Sequence, residues 1–261
     1  MTVAIKVHNA IERSSWIRRM FEEGAALTAE FGAENVYDFT LGNPSVEPPE
    51  AFHRELRRIV NQPDLGTHRY MNNAGYEETR AAVAKNIAQY SGVPINASHI
   101  IMTCGAGGAL NVTLKTILNP GEEVIILTPF FVEYKFYVDN HGGTTTEVWT
   151  DPETFQPDID AIESAITDNT RAIIINSPNN PTGLVEPRER VEQLLASAPG
   201  LVVVDEAYID FSDEPSFISE LSKYPNLIVM QTLSKAYGMA SLRLGMAFAN
   251  PTIIKLLNKI K

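Results

Sequence analysis

Short apolar runs of β-branched residues recur along this chain. Each is followed by small, polar or proline residues and then by a stretch of helical periodicity. Ala172-Ile173-Ile174-Ile175 and Leu201-Val202-Val203-Val204 are the clearest cases. Four consecutive apolar residues leave no polar face for water, so such strands must be covered on both sides. The pattern predicts helix Gly75 to Tyr90, strand His99 to Thr103, helix Ala109 to Leu118, strand Glu123 to Leu127, helix Val132 to Asn140 and strand Thr144 to Trp149. It continues with helix Ile159 to Ile166, strand Arg171 to Ile175, helix Arg188 to Ala196, strand Leu201 to Val204 and strand Leu227 to Gln231. This alternation predicts an α/β fold, a mostly parallel sheet of seven-stranded type sandwiched between helices in three α/β/α layers. Upstream, Ile11 to Phe31 reads as an amphipathic helix ending near Gly32, followed by a strand from Val36 to Leu41 and the break GNPSVEPPE. Pro251 to Lys261 reads as a short amphipathic helix with lysines on its polar side.

Four segments at strand ends carry side chains suited to chemistry. In TLSKAYGMASLRLG (Thr232 to Gly245), Lys235 offers an amine able to condense with an aldehyde, and eight residues on Arg243 offers a planar cation that matches phosphate. Pyridoxal phosphate is a cofactor that needs both. SPNNPTG (Ser177 to Gly183) ends a buried strand and places Asn180 at its carboxyl end, where open α/β sheets bind ligands. In DEAYIDF (Asp205 to Phe211), a carboxylate at the end of a buried strand calls for a cation or a strong donor, and Tyr208 follows three residues later. CGAGGAL (Cys104 to Leu110) is a strand-to-helix turn whose small residues let backbone N–H groups approach an anion. It is neither the dinucleotide fingerprint, since position 110 is Leu, nor a Walker A loop. Each segment alone also has a bland reading: a surface cation pair, a turn, a capping aspartate, a glycine-rich loop.

Taken in order, CGAGGAL, PFFVEY, SPNNPTG, DEAYIDF and TLSKAYGMASLRLG resemble the class I/II aminotransferases, fold-type I pyridoxal-phosphate enzymes of the aspartate and histidinol-phosphate aminotransferase branches. The resemblance runs from LGNP at Leu41 through Gly245. It implies transfer of an amino group between an L-amino acid and a 2-oxo acid, with Lys235 forming the internal aldimine and acting as general base. By the same resemblance Asp205 pairs with the pyridine nitrogen, Asn180 and Tyr208 bond the ring oxygen, and Phe131 stacks on the ring. Gly105, Ala106 and Gly107, with Thr232 and Arg243, hold the phosphate. Tyr70 reaches the cofactor of a neighbouring subunit in a homodimer, and Gly42, like Asn180, meets the substrate. The implied domains are an N-terminal helix and arm (1–45), a cofactor-binding large domain (46–250) and the start of an interdomain helix (251–261). Family members continue into a small domain whose arginine clamps the substrate α-carboxylate, and that domain is expected to be absent from this sequence. A lyase or synthase on the same cofactor, or a cofactor-binding domain without turnover, therefore stays open.

Composition narrows the remaining classes. A net charge of −11 argues against a nucleic-acid partner. The five histidines, His8, His53, His68, His99 and His141, show no ligand spacing, so no metal site is expected. Cys104, the single cysteine, rules out an internal disulfide and reads as a small buried side chain beside the glycine turn. No apolar run approaches the ~18 residues of a membrane span, and the first fifteen residues lack the apolar core of a secretory signal. A cytoplasmic enzyme is the expectation.

Overall fold

The computed structural model describes residues 8, 20, 22–37, 39, 42–62, 66 and 68–261. It divides into two compact units, Met1–Asn43 and Pro44–Lys261. In the first, residues 22–31 are helical (α1) and Gly32, at φ +84°, returns its N–H to the Thr28 carbonyl at 3.0 Å. The expected strand from Val36 to Leu41 is not formed at Val36, Tyr37 or Phe39: among the described residues no sheet strand pairs with them, and Tyr37 and Phe39 are exposed. Positions 11–19 and 21 of the expected helix, and 38, 40 and 41 of that strand, lie outside the described residues.

The second unit holds the sheet. Its elements are α2 (Glu50–Asn61), α3 (Glu77–Ser91), β1 (Ile100–Cys104), α4 (Gly105–Ile117), β2 (Glu123–Thr128), α5 (Glu133–Asn140) and β3 (Thr144–Trp149). They continue with α6 (Ile159–Ala165), β4 (Thr170–Asn176), α7 (Arg188–Ser197), β5 (Leu201–Asp205), β6 (Leu227–Thr232), β7 (Leu244–Ala249) and α8 (Pro251–Ile260). Strand order is β1-β7-β6-β5-β4-β2-β3, and β7 alone runs antiparallel to its neighbours. The mostly parallel, helix-covered sheet is therefore the one that the alternating pattern predicts.

Pleating sends successive side chains to opposite faces, and two cores result. Ile173, Ile175, Val202, Val204, Leu227 and Val229 join Ala84 of α3, Ile162 of α6 and Val191 and Leu194 of α7. Ala172, Ile174, Val203, Ile228 and Met230 join Leu110 and Leu114 of α4, Tyr134 and Val138 of α5 and Ile254 and Leu257 of α8. The expected C-terminal helix is present, with Asn250 capping it by accepting the Thr252 N–H at 2.9 Å and Pro251 in its first turn.

Two elements escaped the pattern. α2 carries an apolar stripe at helical spacing, Phe52, Leu56, Ile59 and Val60, yet none of its residues is buried. β7 is built from LGMAFA, whose glycine and alanines give little strand signal. A third difference matters more for function: α4 begins at Gly105, four residues before the expected start, so the glycines of CGAGGAL form the first helical turn itself. Cys104, at the end of β1, is exposed rather than buried, because the chain turns outward there into α4.

Candidate functional site

The carboxyl ends of β4, β5 and β6 place Asn176, Asp205 and Thr232 on the sheet face that α4 and α5 cover, the same face as Ile174, Val203 and Met230 two residues earlier in each strand. Asp205 is 9% exposed. Its Oδ2 accepts the Tyr134 hydroxyl at 2.7 Å and its Oδ1 accepts the Ala207 N–H at 3.1 Å. Burial raises the Asp205 carboxyl above the usual range, against the opposing pull of Tyr134, Ala207 and the Lys235 ammonium. Burial, and then the Asp205 charge, push the Tyr134 phenol well above its ordinary value, so it is a permanent donor. The neighbouring Glu206 points through the sheet to the other face. There it accepts from Ser216, Gln231 and the Phe217 N–H, so the two adjacent acids have separate surroundings.

Asn176 ties the next loop to the same place. Its amide donates to the Asp205 carbonyl at 2.9 Å and accepts the Asn180 N–H at 2.6 Å. Asn179 braces that loop by donating to the Pro129 carbonyl at 3.1 Å and accepting from Thr182. Asn180 and Tyr208 face each other across a pocket of about 360 Å³ that Pro178 and Phe211 also line. Lys235 lies in the loop after β6, half-buried, with Nζ 5.3 Å from the centre of the Tyr208 ring. Phe131 packs edge-on against Tyr134, ring centres 5.6 Å apart.

Beside Lys235 the backbones of β7 and α4 come unusually close. A Cβ on Gly245 would lie 2.4 Å from the Gly105 carbonyl carbon and 2.6 Å from the Ala106 nitrogen. A Cβ on Gly105, which sits at φ +71°, would lie 2.6 Å from Nη2 of Arg243. Arg243 itself is left-handed at φ +53°, and its Nη1 donates to Ser234 Oγ at 3.4 Å. Thr232 Oγ1 donates to the same Ser234 oxygen at 2.8 Å. Guanidinium, two hydroxyls and the first N–H groups of a helix thus come together, and the absence of a Cβ on Gly105 and Gly245 is what lets them pack so closely. That is the donor set for a phosphate. With Lys235 and a buried carboxylate alongside, the residues fit a phosphorylated aldehyde whose ring carries a basic nitrogen.

A match to the aminotransferase class I and II family spans residues 33–261. The chain belongs to that family. Among curated aminotransferases, the histidinol-phosphate aminotransferase of Cytophaga hutchinsonii is 41% identical over 169 residues, 64% of this chain and 48% of that protein. The corresponding enzyme of Christiangramia forsetii is 39% identical over 202 residues, 77% of this chain and 55% of its own. This chain therefore spans about half the length of the curated relatives it matches. An aminotransferase structure from Eubacterium rectale superposes with a TM-score of 0.90 at 31% identity, over 100% of this chain and 70% of that one. A Thermus thermophilus aspartate aminotransferase variant superposes at 0.83 and 32% identity, covering 94% and 64%.

Of the aminotransferase residues expected from sequence, Lys235, Asp205, Tyr208, Asn180, Phe131, Thr232, Arg243 and the Gly105–Gly107 turn are brought together. Tyr70 is not: its side chain is fully exposed, at 107%. Gly42 belongs to the N-terminal unit, where it too is exposed. Sequence reading missed Tyr134, Asn176, Ser234 and Gly245. Tyr134 was findable, since it stands one helical turn beyond Phe131 in PFFVEY. Gly245 was not, because only the fold brings β7 against α4.

Proposed function

We propose that this chain is the cofactor-binding part of a pyridoxal-phosphate-dependent aminotransferase that moves an amino group between an amino donor and a 2-oxo acid. The observation that carries the reading is the close approach of Gly105, Gly245 and Arg243, possible only because two glycines lack a Cβ, beside a lysine and a buried aspartate. The family is generally pyridoxal-phosphate-dependent. When bound, that cofactor supplies a carbonyl for the substrate amine and an electron sink for the carbon that loses a proton.

The chain's own residues divide the remaining work. Arg243, Thr232, Ser234 and the N–H groups of Gly105, Ala106 and Gly107 bind the phosphate and fix the position of everything attached to it. Asp205, raised by burial, regains its ionised form opposite a protonated ring nitrogen and holds that proton there. The amide of Asn180 and the hydroxyl of Tyr208 hold the ring oxygen, while Phe131 covers the ring face and excludes water. Lys235 Nζ accepts the proton from the substrate carbon and returns it to the neighbouring atom. The named relatives favour a phosphorylated amino donor such as histidinol phosphate. Exposed Tyr70 fits an assembly of two copies in which it reaches the cradle of the other.

The test is the visible spectrum of the purified chain with pyridoxal phosphate, then with histidinol phosphate, L-glutamate or L-aspartate, beside Lys235→Ala. A long-wavelength band that requires Lys235 and that an amino donor discharges, with 2-oxo acid appearing in step, is the expected result. A different carbonyl product would move the reading to a lyase, a band that ignores every amine to a binding domain, and no band would sink it.

A further inference from the structure

One face of α5 serves the site along its whole length. Tyr134, Tyr137 and His141 fall at helical spacings of three and four. Tyr134 bonds Asp205. His141 meets the side-chain oxygen of Asn111 at 3.1 Å, and Asn111 in turn donates to the Gly107 carbonyl at 2.8 Å. Between them stands Tyr137, half-buried, whose hydroxyl donates to no group among the described residues. Its oxygen lies 2.9 Å from where a Cβ on Gly107 would be.

Gly107 is otherwise unexplained. It sits in the first turn of α4 with no left-handed backbone, where alanine would stabilise the helix by about 1 kcal/mol. Glycine there leaves room for the Tyr137 oxygen beside the first turn of α4. The charges that act on this phenol belong to Glu133, Arg243 and Asp205, so it stands between the phosphate cation and the buried carboxylate. Burial and then Glu133 push the phenol up, against Arg243, and it keeps its proton at neutral pH.

We propose that Tyr137 is a further cofactor-binding residue, its hydroxyl donating to the phosphate held over Gly105, Ala106 and Gly107. The inference rests on the pyridoxal-phosphate reading above, and its test separates the two. Dissociation constants for pyridoxal phosphate and for pyridoxal, which lacks the phosphate, are measured by fluorescence quenching for the parent chain, Tyr137→Phe, Gly107→Ala and the double variant. Tyr137→Phe should weaken pyridoxal phosphate about tenfold and leave pyridoxal unchanged. Gly107→Ala, which keeps its N–H but crowds the hydroxyl, should do the same, and the double variant should be no worse than either. Gly107→Ala alone carries the test if Tyr137→Phe does not fold. A change under twofold for pyridoxal phosphate, or an equal loss for pyridoxal, overturns the role of Tyr137. Failure of the parent to bind pyridoxal phosphate overturns the cradle itself, and the inference with it.

Discussion

Asp205, at the end of β5, and Glu186, in the loop before α7, are buried carboxylates that meet opposite treatment. Asp205 keeps donors on both oxygens, and the charge of Lys235 also acts on it. Glu186 has none: the carboxyl is 6% exposed, accepts no hydrogen bond among the described residues, and burial pushes it up to about 7 despite the charge of Arg190. Its folded value lies above the unfolded value of 4.5. The stability it contributes is therefore fully present below pH 4.5 and is lost as pH rises through about 7. Glu186→Gln removes the titration, and relative to the parent it should gain roughly 3 kcal/mol between pH 5 and pH 8. Urea unfolding of both proteins at the two pH values checks this, and an equal difference at both would count against it. Asp205 announced itself in the sequence as a charge ending an apolar run. Glu186 did not, because it sits in a loop whose burial depends on how SPNNPTG folds back, through the Glu186 N–H to Ser177 Oγ.

Strands were legible because alternation of faces is local, and the faces of Asn176, Asp205 and Thr232 follow by counting in twos from their cores. The meeting of β7 with α4 was illegible, since it depends on two segments far apart in sequence touching backbone to backbone. Gly245 and Gly121 make the contrast measurable. Alanine at Gly121, with nothing within 4 Å of its Cβ but φ at +86°, should cost only backbone strain, about 1–2 kcal/mol. Alanine at Gly245 must displace the backbone of Gly105 and Ala106 and should cost on the order of 3 kcal/mol or more. It should also weaken pyridoxal phosphate, which Gly121→Ala should not. Equal thermal shifts for the two variants would show that the contact between β7 and α4 yields freely.

For the molecule as a whole, five separated motifs and the alternating pattern allowed the family and the fold to be read. What could not be read was anything requiring a second surface. Tyr70 is fully exposed among the described residues, and the role proposed for it belongs to an assembly of two copies. If two copies complete each other's cradle, analytical ultracentrifugation should show a dimer, and cofactor affinity should fall as the protein is diluted through its dissociation constant. Tyr70→Phe should lower affinity in the dimer alone. A monomer with full cofactor affinity would exclude that arrangement.

β1 joins the rest of the sheet only through β7, with Ile100 opposite Phe248. On a translating ribosome β1 leaves the exit tunnel before β2 to β6, yet its hydrogen-bonding partner β7 follows all of them. Every parallel strand is synthesised in the interval, so the parallel block can assemble while β1 still lacks a neighbour. The candidate site needs Gly245 packed against Gly105. In a nascent chain that contact can form only when the seventh strand emerges, so the proposed cofactor cradle would be completed by the same event that closes the sheet.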